Sequence, residues 1–544
     1  MSTNNAVQPI TIVNSVTSVT SVETDLTIID DNTYRNERLT QLDALATIGM
    51  KLYPHKFDVD ITFAEYIEKY SDIDTGSRHK LFVHNLAGRV REKRTSGKQL
   101  VFYTVESDIY TLQFLADKRE YEDKDNFKLI NDTIRRGDVI GITGFVGKSL
   151  RGELSVYPLK LVLLTPCFKY LPKLCHGLKD IEVRARKRYL DLLANPQNRE
   201  VFVTSSIVCR EIRRYLDDRG FLEVHTPVLS TEVGGANAKP FVTYHNDLKQ
   251  HMYLRIAPEL YLKKLVVGGL NRVYELGQQF RNEGIDKTHN PEFLSLEYYM
   301  AYADYNDLMK MCEEMFTQVL MATCKKTVIE FLPMHKKEPV TIDFSPPYAK
   351  IDIVTELANN DIYLPEDLFT EEARCYLDLL CRERNIECGS PRTTPRLLDK
   401  LIGEYIEPKC INPTFVINHP LVMSPLAKQH RDKPQLSERF ELFAYGMELA
   451  NAYTELNNSD IQRNMFVEQQ KAKNMGDEEA QTIDEGFLDA LEYGLPPTGG
   501  FGCGIQRLVM FLTNRNSIRD VIAFPAMTNN NKVDNVNVDN VDNV

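Results

Sequence analysis

The stretch Gly499-Gly500-Phe501-Gly502-Cys503-Gly504-Ile505-Gln506-Arg507 decides how this chain is read. Glycine carries no Cβ, so a backbone rich in it lets a flat ligand approach closely, and here an arginine closes the run. On its own the run is equally a turn that feeds the apolar helix Leu508 to Leu512. A second element shifts the balance. Phe280-Arg281-Asn282-Glu283, followed by a polar loop and Phe293, supplies another arginine and an aromatic face for the same kind of ligand. The pair reads as a nucleotide site.

Composition fits a large enzyme. With 544 residues, 43% of them hydrophobic and 26% charged, two or more domains with a sizeable core are expected. The ten cysteines are scattered without a CxxC pair, and Cys375, Cys381 and Cys388 have neither zinc spacing nor a neighbouring histidine. That pattern reads as reduced thiols of a cytoplasmic protein. No apolar run approaches the roughly 18 residues of a membrane span, and the first thirty residues lack a signal-peptide layout, so no membrane partner is expected. The net charge of −12 argues against indiscriminate nucleic-acid binding. Charge is segregated, however: residues 78–165 hold sixteen Lys/Arg against eleven Asp/Glu, with Arg89, Arg91, Lys93, Arg94 and Lys98 tightly grouped.

Punctuation and period divide the chain. Residues 1–33 carry a Ser/Val/Thr repeat followed by acids, and residues 528–544 are rich in Asn, Val and Asp; both are expected to be disordered. Residues 34–77 form a helical lead-in, because Leu39, Leu42, Leu45 and Ile48 recur at helical spacing before Pro54. Residues 78–165 read as five strands, 80–91, 100–107, 109–116, 139–146 and 154–164, with one helix over 121–134. That layout is an OB barrel, which binds single-stranded nucleic acid on aromatics in a basic groove. Phe102 and Gln113 are its natural reading pair, with Arg89 beside them; a barrel-core role for Phe102 is the rival reading. A linker, 166–179, leads to a body spanning 180–527. There an amphipathic helix over 198–219 is capped by Gly220, and the following strand, 221–229, carries Pro227. Proline cannot donate to a ladder, so this strand belongs at a sheet edge, and an edge beside a long helix suits a dimer surface.

These three elements, the helix and strand with Pro227, Phe280 to Glu283, and Gly502 to Arg507, resemble motifs 1, 2 and 3 of the class II aminoacyl-tRNA synthetases. The amino-terminal OB domain places the resemblance in the subgroup of lysyl, aspartyl and asparaginyl enzymes. Arg255-Ile256-Ala257-Pro258-Glu259-Leu260-Tyr261, the loop from Arg281 to Phe293, and Asn451-Ala452-Tyr453-Thr454-Glu455-Leu456 resemble the eukaryotic cytoplasmic lysyl family. The resemblance implies an α+β chain: an OB-fold β-barrel, then a catalytic domain built on an antiparallel β-sheet flanked by helices. It implies that ATP and L-lysine form lysyl-adenylate, and that the acyl group then passes to the terminal ribose of tRNA(Lys). Arg281 is the implied catalytic residue, bridging two anions with its guanidinium fork. Asn282, Glu283, His289, Asn290, Phe293, Glu441, Leu442, Gly504 and Arg507 join it as implied ATP contacts, with Phe293 and Arg507 on the two faces of the adenine. Glu441 and Glu448 match the family's Mg2+ ligands, a number of carboxylates this hard ion accepts from protein.

The family's amino-acid pocket maps onto Gly235, Glu259, Glu297, Tyr299, Asn451, Tyr453 and Glu455, so three carboxylates converge on a cationic substrate. In aspartyl enzymes an arginine stands at the place of Glu455, which disfavours the aspartyl and asparaginyl alternative. A non-catalytic, synthetase-like regulatory protein is the other rival; the retained Arg281, Arg507, Glu441 and Glu448 oppose it. The implied assembly is a homodimer, with membership of a larger multi-synthetase complex left open. Strand parity adds one expectation. Asn451, Tyr453 and Glu455 share a face that Glu448 does not, so a bulge must lie between Glu448 and Asn451 if all serve one ligand. One departure stands out: residues 1–50 hold only Arg35 and Arg38 as cations, in place of the family's lysine-rich amino-terminal helix.

Overall fold

The computed structural model describes residues 31–171 and 177–527. They form two compact units that divide between Pro172 and Lys173. The expected tails, apart from residues 31–33, and residues 172–176 of the expected linker lie outside the described residues.

In the first unit a helix runs Asp31–Thr47, so residues 31–33 are helical rather than disordered. Tyr34, Leu42 and Leu45 are buried, and Arg38, wholly buried, binds the carboxylate of Asp138 and the carbonyl of Thr133. The barrel comprises β1 (Arg78–Ser96), β2 (Leu100–Ser107), β3 (Tyr110–Asp117), β4 (Val139–Lys148) and β5 (Leu154–Thr165), closed in the order β1-β2-β3-β5-β4. Alternation fills it: Val101, Tyr103, Val105, Leu112, Phe114 and Ala116 are buried, which turns Phe102 and Gln113 outward. The expected helix over 121–134 is shorter, Phe127–Thr133. Tyr121 is claimed by the barrel instead, its hydroxyl accepting from the Leu161 amide at 3.0 Å, and Glu122 N–H pairs with the Leu159 carbonyl.

The second unit is built on an eight-stranded sheet. The expected strand over 221–229 is broken into β6 (Leu222–Glu223) and β7 (Leu229–Ser230). Between them the amide and hydroxyl of Thr226 donate to the Glu275 carboxylate at 3.1 and 2.7 Å, and Pro227 has no N–H to give, so the ladder cannot continue. β7 joins β8 (Val242–His245) and β9 (Gln250–Leu254) in a small sheet. β10 (Arg272–Phe280) and β11 (Glu292–Ala301) belong to the large sheet, and β12 (Val328–Phe331) and β13 (Val340–Asp343) form a separate hairpin. β14 (Ala349–Asp352), β15 (Thr414–Ile417), β16 (Arg439–Ala444), β17 (Met447–Thr454) and β18 (Thr498–Gly504) complete the large sheet, in the order β14-β15-β16-β17-β18-β11-β10-β6. All its pairings are antiparallel except β14 with β15 and β10 with β6.

One face of this sheet is core. Tyr298, Phe440, Leu442, Phe501 and Cys503 are buried in one cluster with Ile212 and Tyr215 of the helix Arg199–Asp217, Leu308 and Phe316 of the helix Tyr305–Thr323, and Leu508 of the helix Ile505–Leu512. Tyr298 and Phe501 stack with ring centroids 4.7 Å apart. The next residue along each strand must then face the other way, and that face carries the chemistry.

Candidate active site

Two rows of paired residues cross the open face of the sheet. Glu441, Asn451, Gly502 and Glu297 lie opposite one another in one row; Arg439, Tyr453, Gly500 and Tyr299 form the next. The glycines of the decisive stretch are therefore the floor of a groove, between a strand carrying Asn451 and Tyr453 and one carrying Glu297 and Tyr299. A cavity of about 390 Å³ lies over them.

The expected bulge is present. Leu442 pairs with Ala450 while Phe443 pairs with Glu448, so Leu449 is the extra residue. It reverses parity and brings Glu448 to the cavity face along with Glu441. The turn between the strands puts Tyr445 and Gly446 at positive φ, 47° and 66°, the geometry of a two-residue hairpin.

Gly235, Glu259, Arg281, Glu283, His289, Asn290, Phe293, Glu297, Tyr299, Glu441, Glu448, Asn451, Tyr453, Gly504 and Arg507 all line this cavity. Three residues of the sequence reading do not. Asn282 is exposed, Leu442 points into the core, and Glu455 stands behind the lining, 1% exposed. The Arg281 guanidinium lies over the Phe293 ring at 5.1 Å, and its Nε is buried with no hydrogen-bond partner. Such a donor is set for an anion. Arg507 donates from Nη1 to the Glu448 carbonyl at 2.9 Å and to its carboxylate at 3.0 Å, and its Nη2 lies 3.2 Å from His289 Nε2.

Charge is packed densely here. Desolvation and the neighbouring Glu259 push the Glu297 carboxyl up to about 8. Glu441 is held at about 2, against the opposing effect of burial, by Arg439 and His419. Arg439 donates to Glu441 Oε1 at 2.6 Å and to Asn451 Oδ1 at 3.0 Å. The sequence reading missed Arg439, although it stands two residues before Glu441 on the same strand face. It also missed Lys263, one helical turn after Glu259, which is wholly buried and ion-paired with both Glu259 and Glu455.

The cavity thus holds a half-buried arginine fork, an aromatic ring, a glycine floor and a cluster of carboxylates. Residues 180–528 match the family "tRNA synthetases class II (D, K and N)", and residues 84–164 match an OB-fold nucleic acid binding domain. This chain belongs to the class II tRNA synthetases. Among curated relatives of this synthetase, the lysine–tRNA ligase cla4 of Cladosporium cladosporioides is 46% identical, over 93% of this chain and 86% of its own length. The probable cytoplasmic lysine–tRNA ligase of Vairimorpha ceranae is also 46% identical, over 92% and 97%. The lysine–tRNA ligase of Thermotoga maritima is 42% identical over 90% and 95%.

On the synthetase's barrel, Phe102 is half-buried beside Leu115, Phe145 and Tyr157 on the outer face. Gln113 accepts from the Ser155 hydroxyl at 3.0 Å and donates to the Glu153 carboxylate. Arg89 donates to the Gly137 carbonyl at 2.6 Å. Pro227, Val228 and Leu229 are exposed beyond the edge strand β6. Among the described residues no helix is long and apolar enough to cross a membrane.

Proposed function

We propose that this chain is a lysine–tRNA ligase. Lysine's carboxylate oxygen attacks the α-phosphorus of ATP, pyrophosphate leaves, and a ribose hydroxyl of tRNA(Lys) then attacks the adenylate's carbonyl and displaces AMP. The observation that carries the reading is the row of Glu297, Gly502 and Asn451 beside Glu259, which gives an acidic groove leading to an arginine fork. The ammonium groups of lysine meet carboxylates, its carboxylate and the α-phosphate meet Arg281, and adenine stacks on Phe293. Arg281 already lies over the Phe293 ring on the cavity side, where charge growing on the α-phosphate would meet a cation.

Mg2+ fits the donor set. Glu441 and Glu448 offer hard carboxylate oxygens on the cavity face, each partly neutralised by an arginine, and phosphates complete the shell of such an ion. When bound, it would offset the charge of the departing pyrophosphate. Phe102, Gln113 and Arg89 are proposed to meet the anticodon. A homodimer through the face around Pro227 and a cytoplasmic location are part of the same reading.

The test is exchange of labelled pyrophosphate into ATP with lysine, aspartate or asparagine as the only amino acid. Exchange with lysine alone is expected; exchange with aspartate or asparagine, or none, refutes the reading. Within it, Glu455→Gln should raise the lysine KM by the worth of one charge-assisted bond, about 1.5–3 kcal/mol, and Glu455→Arg by more, with ATP binding nearly unchanged.

A further inference from the structure

Among the described residues, Lys263 is the cation sealed between Glu259 and Glu455 at the amino-acid end of the groove. Its side chain is wholly buried, with the amine 2.6 Å from Glu259 Oε1 and in contact with Glu455 Oε2. The rings of Tyr453 and Phe487 cover it at 5.7 and 5.6 Å, and Tyr453 donates its hydroxyl to the same Glu259 oxygen at 2.7 Å. The other oxygen of Glu455 is treated differently. Both oxygens are buried without a hydrogen bond of good geometry, but the Lys263 amine makes its closest approach to Oε2, whereas Oε1 sits over the floor at Gly500, where a Cβ would lie 1.9 Å from it. One carboxylate oxygen is thus ion-paired with a resident cation, and the other lies buried directly behind the groove floor at Gly500.

This division bears on which cation Glu455 accepts. A primary ammonium is a compact point charge, one of whose three N–H groups suffices for one oxygen, whereas a guanidinium binds a carboxylate best as a planar fork on both oxygens. With Oε2 already taken, the fork finds half its acceptor, and a donor left unpaired in a buried site is penalised. We infer that Lys263 is a specificity-determining positioning residue: by occupying Oε2 of Glu455 it reserves Oε1 for a primary ammonium and turns away guanidinium side chains.

The inference rests on the lysine–tRNA ligase reading, and its test separates the two. Wild-type exchange with lysine is the control for that reading. Lys263→Met and Lys263→Gln are then compared with wild type for lysine and arginine exchange. The expected result is a lysine KM raised about ten- to a hundredfold with an ATP KM little changed, and a lysine-to-arginine kcat/KM ratio that narrows by about tenfold or more. Glutamine, which still donates one hydrogen bond, should retain more of the ratio than methionine. A variant that loses thermal stability or total activity but keeps the wild-type ratio overturns the inference and makes Lys263 structural. Should neither variant accumulate, displacement of lysine from the wild-type enzyme by 2-amino-4-guanidinobutanoate decides. Its terminal nitrogens reach no farther than the lysine amine, so size alone would admit it. No displacement at hundredfold excess is expected; binding within tenfold of lysine overturns the inference.

Discussion

Gly500 and Glu455 share one space: the position a Cβ would take on Gly500 is 1.9 Å from Glu455 Oε1, and 2.5 Å from Cε1 of Tyr299. The residue is glycine because a carboxylate occupies the place of its side chain. Gly500→Ala is therefore expected to displace Glu455 or Tyr299, an overpacking cost of about 1–3 kcal/mol concentrated on the amino-acid end of the groove. Pyrophosphate exchange should show a lysine KM raised about tenfold or more with ATP KM close to wild type. Gly502, whose Cβ would meet nothing nearer than 3.7 Å, looks into the open cavity, and alanine there should weaken ligand binding without disturbing the empty fold.

Lysine binding should release a proton. The Glu297 carboxyl, pushed up to about 8 by desolvation and Glu259, holds a proton at neutral pH in the empty groove, and an arriving ammonium favours its carboxylate form. Affinity for lysine should accordingly rise with pH up to about 8, by at most about tenfold per pH unit for one proton. The sign for stability is opposite. A carboxyl with its folded-state pKa above the unfolded value binds more protons when folded, so its contribution in the ligand-free protein declines as pH climbs from the unfolded value toward 8. Calorimetric titrations at pH 7 in buffers of differing ionisation enthalpy measure the released proton, and Glu297→Gln should abolish it. An unchanged release in that variant assigns the proton elsewhere.

Phe102 separates two uses of the barrel's outer face. Because it is only half-buried against Leu115, Phe145 and Tyr157, Phe102→Ala should leave adenylate formation intact and weaken tRNA aminoacylation by the worth of one stacked base, about 1–3 kcal/mol. Parallel loss of both reactions would make it a packing residue.

How much was legible follows from what decides each feature. The barrel strands, the Leu449 bulge and the cavity residues depend on period-two alternation and motif chemistry, both written locally. The break at Pro227 needed Glu275, which lies far along the chain and draws Thr226 out of the ladder. Tyr121 reads as the start of a helix running to residue 134, yet its hydroxyl is bound by β5. Nothing local in the sequence marks Lys263. Only the fold shows Glu455 closing over it.

Arg38 and Asp138 show where the amino-terminal cations went. Of the two arginines before Lys51, Arg38 is buried against Asp138, and Arg35 lies over the Phe168 ring at 4.8 Å. Arg38 is thereby withdrawn from solvent and from any phosphate, while Arg35 stays exposed. Removing one member of a buried pair leaves the other charge uncompensated, which costs about 3–5 kcal/mol, whereas replacing both with apolar residues can restore much of the loss. Arg38→Met alone should lower the unfolding free energy of the barrel unit, measured by chemical denaturation, by that amount, and Arg38→Met with Asp138→Leu should recover part of it. Binding of tRNA at a denaturant concentration where both fold should keep its wild-type salt slope, because no phosphate contact is lost. A shallower slope for the double variant would place Arg38 on the RNA instead of in the core.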